Sequence, residues 1–75
     1  MTKNRIPRNF ARIVAIQHDN DASAGADGDV WHIYRTAGGR LLGYNTTKNV
    51  HYYIPASYLR LAQFWEFIQI DKMED

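Results

Sequence analysis

Three histidines, His18, His32 and His51, and the aspartates Asp19, Asp21, Asp27 and Asp29 are the side chains of this chain best suited to hold a metal or move a proton. A zinc site needs three or four convergent ligands, and the spacing of these histidines predicts no convergence. Cysteine is absent, which removes thiolate ligands, disulfides and a cysteine nucleophile. The run "DNDASAG" puts Asp19, Asp21 and Ser23 at positions 1, 3 and 5 of a calcium loop. However, the sixth position is Ala24 instead of glycine, and the twelfth is Val30 instead of a bidentate glutamate. The two serines, Ser23 and Ser57, stand in no nucleophile-elbow context, and Glu66 is the sole glutamate outside the tail. "AGGR" is a weak phosphate cradle, because no helix follows it. The expectation is a protein that is not an enzyme and uses no metal and no cofactor.

Binding chemistry is better represented. Residues 1–12 carry Lys3, Arg5, Arg8 and Arg12 and no acid, a composition able to neutralise phosphates. His32, Tyr34, Tyr44, Tyr52 and Tyr53 can offer bases a stacking face, as small β-barrels do for single strands. Yet the net charge is +1, where nucleic-acid modules run strongly basic. Arginine, tyrosine and tryptophan are also the residues that dominate protein interfaces, so a protein partner accounts for more of the composition at once. The same nine residues are therefore the expected contact set for a large protein partner. Nucleic-acid contact through the basic arm is the alternative, and a peptide-binding module is a further one.

The elements that must position these residues are mostly strands. "NFARIVAIQ" predicts a first strand with Phe10, Arg12, Val14 and Ile16 on one face and Ala11, Ile13 and Ala15 on the other. "VWHIYRT" and "RLLGYNT" predict a hairpin about "AGGR", where Gly38 and Gly39 can take positive φ. Gly43 marks a bulge or a close backbone approach. "VHYYI" gives a fourth strand, ended by Pro55. Ser57 is placed to cap a helical turn over "YLRLAQF", with Tyr58, Leu61, Ala62 and Trp65 on its apolar stripe. "EFIQI" predicts a fifth strand, in preference to one helix from Ser57 to Asp71, because Phe64 to Ile70 favours β structure. Trp31, Ile33, Val14, Ile16, Leu41, Leu61, Phe64 and Phe67 are the expected core. The fold class is mainly β, or small α+β: a curved antiparallel sheet of four or five strands, small-barrel-like, with one short helix after Pro55.

Size bounds the rest. Seventy-five residues make a single domain, 1–75, and so short a chain has marginal stability. Within it, 1–8 reads as a basic arm, 18–29 as an acidic mobile loop without apolar anchors, and 71–75 as an acidic tail. No apolar run of membrane-spanning or signal-peptide length is present, and a cytoplasmic monomer or weak dimer is expected.

Two resemblances add to this reading. "YIPASYL", Tyr53 to Leu59, resembles the closing segment of Src-homology-type small barrels, where a strand ends in proline, a helical turn carries a tyrosine and a last strand begins. That likeness implies a curved small-barrel sheet. It departs from the family in the longer spacing back to Trp31. In size, composition and lack of a catalytic site, the chain also looks like small phage-encoded regulators that inhibit host RNA polymerase. This second likeness implies steric or allosteric control of a polymerase in the host cytoplasm, with the basic arm near nucleic acid.

Overall fold

The computed structural model describes residues 3–20 and 25–73. Five antiparallel strands form one sheet: β1 (Phe10–Gln17), β2 (Val30–Arg35), β3 (Leu41–Asn45), β4 (Val50–Tyr53) and β5 (Trp65–Lys72). A single helical turn, α1 (Ala56–Leu59), lies between β4 and β5. The sheet order is β4-β3-β2-β1-β5, so β2 is central, β1 lies between β2 and β5, and β4 and β5 are the edges. The sheet is thus curved but open, and not a closed barrel. The strand, proline, helical turn and strand expected around "YIPASYL" are present in that order.

The β2–β3 hairpin turns where the glycines placed it. Gly39 adopts φ 85°, its N–H bonds to the Thr36 carbonyl, and the Thr36 N–H bonds to the Arg40 carbonyl. Gly43 is a close approach, not a bulge. The β2–β3 register runs unbroken past it, and a Cβ there would lie 2.5 Å from Ile54 Cδ1 and 2.9 Å from Trp31 Cε3. The β3–β4 turn is closed by Asn49 in the left-handed region, which asparagine tolerates.

Two departures from the sequence reading have local causes. The first is β1, whose pairing with β5 slips between Phe10 and Arg12 and again between Val14 and Ala15. The first slip reverses the alternation, so Phe10 shares the core with Ile13, Ala15 and Gln17, whereas Arg12, Val14 and Ile16 face the other way. The second is the helix. It begins at Ala56 with Pro55 as N-cap and no side-chain cap bond, so Ser57 is an exposed residue inside the turn. Pro55 supplies a fixed φ, and its carbonyl accepts from the Tyr58 and Leu59 N–H groups, each at 3.0 Å. The turn stops at Arg60, and Trp65 is already in β5.

The core is Phe10, Ile13, Ala15, Trp31, Ile33, Leu41, Ile54, Leu59 and Trp65. Ile6, Ala56, Tyr58, Phe64 and Phe67 pack against it from the N-terminal segment, the helical corner and β5. Of the expected core, Trp31, Ile33, Val14 and Leu41 are buried, and Ile16, Leu61, Phe64 and Phe67 are partly exposed. All covering residues lie on one side of the sheet. The 19 Å shortest dimension matches two layers, a sheet and one cover.

Candidate binding face

Residues paired across antiparallel strands share a face, so the register assigns the uncovered side directly. One row crosses all five strands: Gln69, Val14, His32, Tyr44 and His51. Beside it runs Tyr34, Leu42 and Tyr53. Tyr44 and His51 stack at 4.6 Å between centroids, and the Tyr44 hydroxyl donates to Asn49 Oδ1 at 2.6 Å. Tyr34 and Tyr53 are 40% and 51% exposed, and the Arg40 guanidinium lies 3.7 Å above the Tyr53 ring. His32, Tyr34, Tyr44 and Tyr53 are thereby brought together as the sequence led one to expect. Tyr52 is not among them. It pairs with Gly43 and leans on Trp31 from the covered side at 6.4 Å, because strand alternation sends it opposite to Tyr53.

The basic residues divide. Arg12 lies on β1, and its guanidinium is bound to Asp71, with contacts of 2.8 Å from Nε and 2.6 Å from Nη2. That bond, after one from Gln69, holds the Asp71 carboxyl below its usual range. Arg12 is thus already paired within the chain. Lys3 pairs with Leu61, and Asn4 fixes its neighbours by donating to the Trp65 carbonyl at 2.9 Å. Arg5 and Arg8 are exposed. Arg35 reaches the Pro7 carbonyl and sits 4.9 Å over Phe10. Antiparallel pairing therefore gathers Arg8, Arg35, Arg40 and Lys72 at the Phe10 end of the sheet, and none has an ion pair among the described residues. Asp19, Asp27, Asp29 and Glu66 collect at the opposite end.

That acidic end contains a polar cluster that sequence reasoning missed. Gln17, Asp29 and Asn45 are all buried. The Trp31 indole N–H donates to Gln17 Oε1 at 2.9 Å, and Gln17 Nε2 donates to Asp19 Oδ1 at 3.1 Å. Asp19 in turn accepts from the Tyr58 hydroxyl. Asp29 Oδ2 accepts from Asn45 Nδ2 and the Ala26 N–H, each at 2.9 Å, with Lys48 Nζ at 3.5 Å. The Asn45 bond, then the Ala26 bond, hold the Asp29 carboxyl below its usual value. Gly25 backs all three, since a Cβ there would fall within 2.9 Å of Gln17 Oε1, Asn45 Nδ2 and Asp29 Oδ2. Within the cluster the Trp31 indole N–H, the Gln17 amide and the Asn45 amide each meet an acceptor. Within residues 18–29, Asp21 to Ala24, including Ser23 and the expected mobility there, lie outside the described residues. Asp29, expected in a solvated loop, is instead held at the base of β2.

His18 lies between Glu66, at 2.8 Å from Nε2, and Asp27, at 3.6 Å from Nδ1. The Glu66 bond leads in raising its pKa. Among the described residues no group of three His, Cys, Asp or Glu side chains converges on one point, and no helix is long and apolar enough to cross a membrane. No protein-family model, no curated protein and no solved structure matches the chain.

Proposed function

We propose that this protein is a non-enzymatic binding module that docks onto a large cytoplasmic protein complex through the open face of its sheet. We further propose host RNA polymerase as that complex, following the likeness to phage-encoded regulators. The observation that supports docking is the uncovered double row of Tyr34, Leu42, Tyr53 and His32, Tyr44, His51, with Arg40 stacked at its edge. A soluble domain hides most rings of this size. A face of tyrosine, histidine and arginine that its own chain leaves open has the composition of an interface centre.

The test is capture from a host lysate on immobilised protein, with nuclease treatment and mass spectrometry. Polymerase subunits retained after nuclease, and lost with Tyr34→Ala or Tyr53→Ala, are the expected result. Each truncation should weaken binding by about 2 kcal/mol or more if it removes an interface anchor. Recovery of nucleic acid alone would transfer the function to single-strand binding on the same rings.

A further inference from the structure

At the basic end, where the open face meets the helical corner, a groove of about 250 Å³ lies between Gly39–Leu41 and Tyr53–Ala56. We infer that this groove recognises an acidic segment of a protein partner: an apolar side chain seats against Leu41, Ile54 and Pro55, and a neighbouring carboxylate is bound by Arg40. The inference rests on the docking reading above and names the chemistry of its partner.

Three observations carry it. The first is that the groove is built, not incidental. The Ile54 N–H bonds to the Leu41 carbonyl at 2.8 Å, which ties its two walls together. The Arg40 N–H bonds to Thr36 Oγ1 at 3.1 Å, which fixes the backbone beneath the guanidinium. The second is the state of Arg40. Stacked 3.7 Å over Tyr53, it has already lost the freedom that a surface arginine loses on binding, and its donor edge meets no acid among the described residues. A planar guanidinium held in this way suits a carboxylate, two oxygens to two N–H groups. The third is the wider charge. Arg8, Arg35 and Lys72 share this end of the sheet, and the one described acid there, Asp71, is bound to Arg12. Among the described residues, the cations Arg8, Arg35, Arg40 and Lys72 at this end of the sheet thus have no ion-pair partner.

The groove itself separates a peptide from a nucleic acid. Leu41, Ile54, Pro55 and Ala56 are among its lining residues, an apolar set that a phosphodiester backbone does not match. The face of Tyr53 that a base would need is covered by Arg40.

The test uses the full chain and a short capped peptide alternating glutamate with leucine, followed by fluorescence anisotropy and by backbone amide shifts. The controls are the same peptide with glutamine for glutamate, and oligothymidylate. The expected result is saturable binding of the acidic peptide, with shifts at Gly39–Leu41 and Tyr53–Ala56. Affinity should fall about tenfold or more with Arg40→Glu, and less with Arg40→Lys, which keeps the charge but loses the planar fork. Arg60→Glu, on the helical turn away from the groove, should leave binding in place. Equal binding of the glutamine peptide, or binding indifferent to Arg40→Glu, would overturn the inference. So would oligothymidylate that outcompetes the peptide at these residues. If polymerase capture survives Arg40→Glu but fails with Tyr34→Ala, the groove is wrong and the docking face stands. If the peptide binds through Arg40 and lysate yields no protein complex, the polymerase reading fails and the groove is supported.

Discussion

At the scale of single residues, Gly43 shows why the sheet takes this sequence. An alanine would ordinarily suit a strand better than glycine, by about 0.5–1 kcal/mol. Here its Cβ would press on Ile54 Cδ1 and Trp31 Cε3. Ile54 is buried, and Trp31 is held by its bond to Gln17, so neither neighbour can yield easily. Overpacking outweighs propensity, and Gly43→Ala should destabilise by about 1–3 kcal/mol in urea unfolding. Gly38→Ala, with nothing within 4 Å of its Cβ, should change little. Asn45 makes a different kind of contribution. Its Oδ1 accepts from the Thr47 and Lys48 N–H groups, each at 3.0 Å, while its Nδ2 serves Asp29. Asn45→Ala therefore strips partners from a turn and a buried carboxylate together, at a cost of about 1–3 kcal/mol for the desolvated groups left behind. Asp29 titrates with a definite sign. Its folded carboxyl lies below the usual 3.8, so its stabilisation is complete above 3.8 and is lost as pH falls below that value through the lowered one. Asp71 behaves in the same direction. The readout is thus the difference between wild type and Asp29→Asn, whose unfolding free energy should decline less steeply in acid.

At the scale of elements, the chain is laced by contacts between parts distant in sequence. His18 joins the end of β1 to Glu66 on β5 and to Asp27 before β2. Its pKa is raised by these acids, so the clamp is complete below the ordinary 6.5 and loosens as pH rises through the raised value. Amide exchange at Asp27 and Glu66 should quicken over that rise. Glu66→Gln should bring the His18 ring titration back toward 6.5 by NMR. Asn4 has a similar role for the N-terminal segment, since its side-chain amide donates to both the Trp65 and Leu59 carbonyls. Asn4→Ala should remove exchange protection from the Asn4 N–H, which bonds to the Arg60 carbonyl, and leave β2 and β3 protected.

At the scale of the whole molecule, a net charge of +1 conceals an uneven distribution of charge along the strands among the described residues. Arg8, Arg35, Arg40 and Lys72 stand at one end, and Asp19, Asp27, Asp29 and Glu66 at the other. Association with a partner should slow as ionic strength rises, because such a field steers encounter. Its equilibrium should depend only weakly on salt if rings and aliphatic groups supply the affinity. A steep log–log dependence would instead signify phosphate neutralisation. Stopped-flow association across a salt series separates these outcomes.

Composition and alternation determined the five strands, the glycine hairpin and the Pro55 corner, since those are local properties: period-two patterning, positive φ and a fixed proline φ. They also put His32, Tyr34, Tyr44, Tyr52 and Tyr53 forward as one stacking face, and the β2–β3–β4 register kept four of these together and sent Tyr52 to the covered side. Only the tertiary structure decided the rest. The slip after Phe10 depends on how β1 meets β5, more than fifty residues away, and it alone moves Phe10 into the core and Arg12 out to Asp71. The buried set of Gln17, Asp29 and Asn45 looks like ordinary strand-end polarity in the chain, because its partners come from three separate elements. The groove at Arg40 and Tyr53 exists because the β2–β3 turn and the Pro55 corner close on each other across the Leu41–Ile54 bond, a meeting that no short window of sequence contains.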